Sequence, residues 1–268
     1  MKKASLLIVA FSLFAFASMA QKGSYSFKET FSVSSSPNIT LRNSDGDIKV
    51  YPSTKNQVEI YFAARRKGRT LKMTKADLEN EDFTFEISNS SGNLEIRIRE
   101  RRRDYRNYNN QINISMEVYA PVKSSCNLYS SDGDIVLEGL QADQTIRTSD
   151  GDIELVDIQG DIKGRTSDGN IKFSNVSGSL DVSTSDGNVR GNLLSLTNSL
   201  RVKTSDGNIR VSIPKSLGLD LDIRGESLRI PLKNFNGRST DKKIDGKMNG
   251  GGKLVHLRTS DGRITLDM

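Results

Sequence analysis

The sequence predicts an all-β chain, a β-roll-like stack of 18-residue two-strand repeats with a longer-stranded antiparallel section near its N-terminus. Three observations predict it. Ser-Asp-Gly occurs seven times, at Asp45, Asp132, Asp150, Asp168, Asp186, Asp206 and Asp261, and internal repeats mark architectures in which each unit leans on its neighbour. From Asp132 to Asp186 the spacing is 18 residues each time, with Gly151, Gly160, Gly169, Gly178 and Gly187 at intervals of nine. Around every turn apolar and polar residues alternate, as strands require.

In chain order, the first segment carries Lys2 and Lys3, an apolar run from Ala4 to Ala17, and Ser18-Met19-Ala20. That is a signal-peptide pattern, so residues 1–20 are expected to be removed and residues 21–268 to form a single domain. No cysteine follows the apolar run and no later stretch is apolar enough to span a bilayer, so neither a lipid anchor nor a membrane span is expected after cleavage. Loss of Lys2 and Lys3 lowers the formal charge from +6 to +4 (6 − 2). Such a balance neither demands nor excludes an anionic partner. Export implies an oxidising compartment, yet Cys126 stands alone, so packing must supply the stability.

Residues 53–120 differ from the repeats. Val58 to Phe62, Phe83 to Ile87, Leu94 to Ile98 and Ile112 to Val118 read as longer strands, and Ser90-Ser91-Gly92-Asn93 is a hairpin signal. This section is expected to cap the stack. Lys75 to Asn80 is the one stretch with helical periodicity.

Residues 121–268 hold the regular repeats and the closing strands. Six and four residues before each turn Asp stand Ile39 and Leu41, Cys126 and Leu128, Gln144 and Ile146, Ile162 and Gly164, Leu180 and Val182, Leu200 and Val202, Val255 and Leu257. Three and five residues after it stand Ile48 and Val50, Ile135 and Leu137, Ile153 and Leu155, Ile171 and Phe173, Val189 and Gly191, Ile209 and Val211, Ile264 and Leu266. These columns are the predicted core, and only Gln144, Gly164 and Gly191 in them are not apolar. Stacking places equivalent residues about 4.8 Å apart between two thin sheets.

The Ser-Asp-Gly-Asp/Asn-Ile turns, the step Val211-Ser212-Ile213-Pro214, the turn Gly250-Gly251-Gly252 and the closing Leu257-Arg258-Thr259-Ser260-Asp261-Gly262 resemble the bacterial extracytoplasmic "putative adhesin", or toast-rack, domains of unknown function. The resemblance covers most of the mature chain. It implies a right-handed β-solenoid outside the cytoplasmic membrane, with roles in adhesion or envelope sensing and no known catalytic residue. That family's usual turn reads Ser-Gly-Asp, whereas here Asp precedes Gly.

In each turn Gly is read as answering a positive φ and Asp as accepting a backbone N–H. Stacked turn carboxylates repel by roughly 1 kcal/mol per neighbouring pair in water, which hydrogen bonds offset, so no metal is assigned. Asp134, Asp152, Asn170, Asn188 and Asn208 suit an amide ladder. Arg42, Arg147, Arg165, Lys203 and Arg258, three residues before the turn Asp, are read as softening the acidic row.

Two basic clusters are candidate binding surfaces. One is Arg65, Arg66, Lys67 and Arg69. The other runs from Arg97 to Arg106, and the site residues assigned are Arg101, Arg102, Arg103, Tyr105 and Arg106, because guanidinium forks and aromatic faces suit phosphate, carboxylate or sugar. Catalysis has little support: His256 faces outward without an evident partner and Cys126 sits in a core column. The alternative is a polysaccharide-acting β-helix enzyme using paired Asp and Arg. The function expected is therefore an exported, non-enzymatic envelope module for adhesion, binding or sensing, in the periplasm, at the surface or in the medium. No cofactor is expected. Its partner would be an anionic envelope polymer, a glycan or another envelope protein, not nucleic acid.

Overall fold

The computed structural model describes residues 24–90, 92–101 and 111–268; residues 1–20, expected to be a signal segment, lie outside them. The N-terminal part comprises β1 (Phe27–Ser32), β2 (Asn38–Arg42), β3 (Ile48–Ser53), β4 (Gln57–Arg66), β5 (Arg69–Thr70), α1 (Lys75–Asn80), β6 (Phe83–Ser90), β7 (Asn93–Glu100) and β8 (Asn113–Pro121). The middle runs through β9 (Ser125–Tyr129), β10 (Ile135–Glu138), β11 (Gln144–Arg147), β12 (Ile153–Val156), β13 (Ile162–Arg165), β14 (Ile171–Ser183), β15 (Val189–Lys203) and β16 (Ile209–Ser212). The chain closes with β17 (Leu219–Arg224), β18 (Ser227–Arg229), β19 (Phe235–Ser239), β20 (Lys243–Met248), β21 (Lys253–Arg258) and β22 (Arg263–Asp267). The helix expected at Lys75 to Asn80 is present. Thr74 and Asp77 close its N-terminus as a reciprocal capping box, satisfying two donors that a helix start leaves free.

The strands form two faces of a β-solenoid. Strands entering the Ser-Asp-Gly turns make the front face, in the order β6, β7, β2, β9, β11, β13, the second halves of β14 and β15, β21, β17, β20, β19. Strands leaving the turns make the back face, in the order β1, β4, β8, β3, β10, β12, the first halves of β14 and β15, β16, β22, β18. Pairing is parallel through the middle and antiparallel at both ends of the front face and at the β1 end of the back face, whereas β18 closes the other end of the back face in parallel with β22; the longer-stranded section does occupy one end.

One feature of the stacking is not evident from chain order. The Asp45 and Asp132 turns are separated by 87 residues and the Asp206 and Asp261 turns by 55, yet each pair stacks directly, β2 on β9 and β15 on β21. At each end the intervening excursion supplies a further coil outside the last Ser-Asp-Gly turn: β7 and β8 at one end, β17 and β18 at the other.

All the predicted core positions are buried except Gly191, which is half-exposed. Gln144 is buried because its side chain takes over backbone partners: Oε1 accepts from the Cys126 N–H at 3.1 Å and Nε2 donates to the Ser124 and Ala142 carbonyls at 3.1 and 2.7 Å. A third apolar row, Leu140, Ile158, Val176, Leu193 and Leu196, fills the corner opposite the Ser-Asp-Gly turns. There β14 and β15 bend continuously, with register shifts, instead of breaking into two strands and a turn.

The Ser-Asp-Gly glycines require a correction. None of them has a positive φ. Their reason is proximity: a Cβ on Gly151, Gly169, Gly187 or Gly207 would lie 1.9–2.1 Å from the carbonyl oxygen of the preceding glycine in the column. Only a residue without a Cβ lets the coils approach so closely. Turn closure falls to the residue two before each Asp. Thr148, Thr166, Thr184, Thr204 and Thr259 are buried, and Thr166 is typical: Oγ1 donates to the Ser149 and Gly151 carbonyls, each at 3.0 Å, and accepts the Gly169 N–H at 3.2 Å. Ser130 and Asn43 take this place in the first two turns. One hydroxyl thus binds two coils together.

Candidate binding surface

Beside the glycine column runs the expected ladder. Oδ1 of Asp134, Asp152, Asn170, Asn188 and Asn208 each accepts a backbone N–H from the next coil, at 2.7–3.0 Å. Asn170, Asn188 and Asn208 also donate Nδ2 to the preceding Oδ1 at 3.1–3.3 Å. The turn carboxylates of Asp150, Asp168, Asp186, Asp206 and Asp261 face solvent.

On the front face, the outward residue three before each turn Asp belongs to a straight row. Arg97, Arg42, Tyr129, Arg147, Arg165, Ser183, Lys203, Arg258, Arg224 and Lys243 lie directly opposite one another on successive strands from β7 to β20. Arg42 lies over the Tyr129 ring at 3.9 Å. Arg97 reaches Glu86 at 3.8 Å, Arg42 reaches Glu95 at 3.9 Å, Arg258 reaches Asp222 at 3.1 Å and Lys243 reaches Asp245 at 3.2 Å. Arg147, Arg165, Lys203 and Arg224 are exposed and make no ion pair among the described residues. Arg147, Arg165 and Lys203, read as softening the acidic row, form no ion pair with Asp150, Asp168 or Asp206: the side chains leave the sheet face while the carboxylates leave the turn.

His256 also differs from expectation. It faces outward from β21, but its Nδ1 lies 2.9 Å from Asp222 Oδ2 on β17, and Arg258 Nη2 donates to the same oxygen at 3.1 Å. Burial and the nearby Arg258 charge hold the imidazole below its ordinary pKa, outweighing Asp222, which alone would raise it. Burial would lift the Asp222 carboxyl, but the Arg258 hydrogen bond and charge, with His256, bring it below the ordinary value. Among the described residues no hydroxyl hydrogen-bonds the other ring nitrogen. Both folded-state values are depressed, so both contributions are present above the unfolded values and are lost as pH falls through the folded ones. The melting temperature should therefore drop from about pH 6.5 downward. In His256→Gln that upper step should vanish; an unchanged profile would mean that His256 does not titrate with folding. Cys126 is buried, and desolvation pushes its thiol up to about 12, which fits an inert core residue.

Of the assigned site residues, Arg101 is placed at the end of β7, its N–H donating to the Asp82 carbonyl at 2.8 Å and its Nε to Thr84 Oγ1 at 2.8 Å. Arg102, Arg103, Tyr105 and Arg106 lie outside the described residues. Arg101 follows Arg97 and Arg99 directly after β7, the strand whose Arg97 heads the cationic row, a continuity the local sequence does not reveal. In the other basic cluster, Arg66 pairs with Glu81 at 3.6 Å and Lys67 takes a φ of 52° in the β4–β5 turn. The back face carries a tyrosine group instead, with Tyr119 5.6 Å from Tyr51 and 5.9 Å from Tyr61.

Comparison with known proteins adds a family. The Toastrack DUF4097 family model matches residues 30–267. No curated protein matches the chain. Among solved structures, a "putative cell adhesion protein" from Clostridium sporogenes is 12% identical, with 90% of this chain and 98% of that one covered at a TM-score of 0.38. A "putative adhesin" from Bacteroides fragilis is 11% identical, with 90% and 95% covered at a TM-score of 0.43.

Proposed function

The chain belongs to the Toastrack DUF4097 family, and from that premise we propose that it is an exported, non-enzymatic adhesion or binding scaffold of the cell envelope. The front face carries this reading. Its side chains repeat one chemistry along a line on a rigid sheet, whereas a catalytic site converges different groups on one point. A glycan hydrolase in particular needs two carboxyl groups facing a shared bond. Here the acid next to the only histidine is engaged by Arg258. The ligand proposed is an anionic envelope polymer or glycan, met first by Arg101, Arg102, Arg103, Tyr105 and Arg106.

The test is to fractionate cells, then assay the exported protein against a panel of envelope polymers and surface glycans. Saturable, salt-sensitive binding without products is the expected result. Serine at Arg101, Arg102 and Arg103 together should weaken that binding while shifting stability by no more than about 0.5 kcal/mol. Turnover of any glycan would replace this reading with an enzymatic one.

A further inference from the structure

We infer that the cationic row on the front face is a track for one linear acidic polysaccharide, lying along the stack across the strands. This rests on the binding-scaffold reading and names its ligand class. Like charges directly opposite each other in a sheet are destabilising. The row nevertheless sets Arg42 against Arg97, Arg147 against Arg165, Lys203 against Arg258, and Arg224 against both Arg258 and Lys243. Stacking alone does not call for this, since the same ladder positions accept Tyr129 and Ser183. Four members have no carboxylate partner among the described residues. A bound polyanion would supply the missing charge.

Spacing and width select the class of polyanion. Successive cations stand about 4.8 Å apart, and Tyr129 to Lys203 covers four such steps, roughly 19 Å. An extended pyranose chain advances by a similar distance per sugar, so uronate carboxylates on consecutive or alternate sugars would fall opposite the row. The adjacent row over the same strands, Asn127, Thr145, Lys163, Asp181 and Arg201, offers amide, hydroxyl, ammonium and guanidinium groups to sugar hydroxyls around the one carboxylate of Asp181, and the Tyr129 ring suits a sugar face. Exposed carboxylates bound the track on both sides: the turn residues Asp150 and Asp168 on one, Asp143 and Asp161 on the other. A lane only two side chains wide between acidic borders suits a thin, sparsely charged chain. It disfavours a DNA duplex, with one charge per about 1.7 Å. Each exposed contact contributes little, but contacts on one rigid frame add as a multivalent set.

The experiment titrates the purified protein with polygalacturonate, short oligogalacturonates, neutral dextran and duplex DNA at two salt concentrations. Arg147→Ser with Arg165→Ser interrupts the unpaired centre; Lys172→Ser with Arg190→Ser removes neighbouring cations from the back face and serves as control. Polygalacturonate should bind with an affinity that rises with chain length and falls with salt, and dextran should not bind. The front pair should weaken it about tenfold, equivalent to about 1.4 kcal/mol, with the melt unchanged or slightly raised, while the control pair stays within about twofold. Wild-type affinity in the front variant, equal loss in the control, or tighter binding to DNA would overturn the track. If another polymer of the envelope panel binds while polygalacturonate does not, the track fails and the scaffold reading stands; if nothing in either panel binds, both fail.

Discussion

Gly169→Ala is expected to cost about 3 kcal/mol or more, at the upper end of overpacking effects. A Cβ there would stand 1.9 Å from the Gly151 carbonyl oxygen and 3.0 Å from the Asp152 nitrogen, both backbone atoms. Neither can rotate away. Separating the coils would stretch Ser167 N–H to Ser149 O and Ile153 N–H to Asn170 O, now 2.8 and 2.9 Å, and would pull Thr166 from its carbonyls. Gly68→Ala is the comparison. Gly68 has a φ of 75° and nothing within 4 Å of its added Cβ, so only backbone strain of about 1–2 kcal/mol applies. Chemical or thermal unfolding of both variants measures the difference. Near-equal losses would show that the coils do not approach as closely as this column requires.

That contrast also explains what was legible in the sequence. The core could be read because each stacked strand turns the same positions inward, which repeats Ile, Val and Leu at fixed offsets from every Asp. The glycines were visible but their cause was not, since a turn and a close approach select the same residue. The buried threonines recur just as regularly, yet Thr and Ser near a turn ordinarily read as local polar residues, and their partners lie 15 and 17 residues away in another coil. For the binding surface, five members of the cationic row were recognised by their offset from the turn. Arg97, Arg224 and Lys243 were not, because their strands precede no Ser-Asp-Gly and reach the row only through excursions of the chain. The pairing of His256 with Asp222 is hidden for the same reason: the hairpin β19–β20 separates β17 from β21 in sequence while the ladder joins them directly.

Ile171→Asp should destabilise the protein by several kcal/mol, because it places a carboxylate where nothing can hydrate or pair with it. Ile171 is fully buried and lies opposite Ile153 and Val189 in the adjacent coils, so the new acid would have to ionise between apolar side chains or remain protonated at a cost. Its outward neighbour gives a finer test of the register. Asn170 faces away from the core, but it is not a silent position: its Nδ2 donates to Asp152 Oδ1 at 3.1 Å and its Oδ1 accepts the Asn188 N–H at 3.0 Å. Asn170→Asp keeps the acceptor, loses the donor and sets a second carboxylate against Asp152. About 1 kcal/mol of loss is expected at neutral pH, from one hydrogen bond and one repulsion in solvent. Protonating the introduced acid restores a donor, so this loss should shrink as the pH is lowered toward about 4. The Ile171→Asp variant should instead stay well below wild type there, since even the neutral acid leaves a polar group and lost apolar volume in the core. Melts of both variants at pH 7 and near pH 4 separate the two effects; equal losses at neutral pH, or full acid rescue of Ile171→Asp, would mean that the inward and outward columns are exchanged.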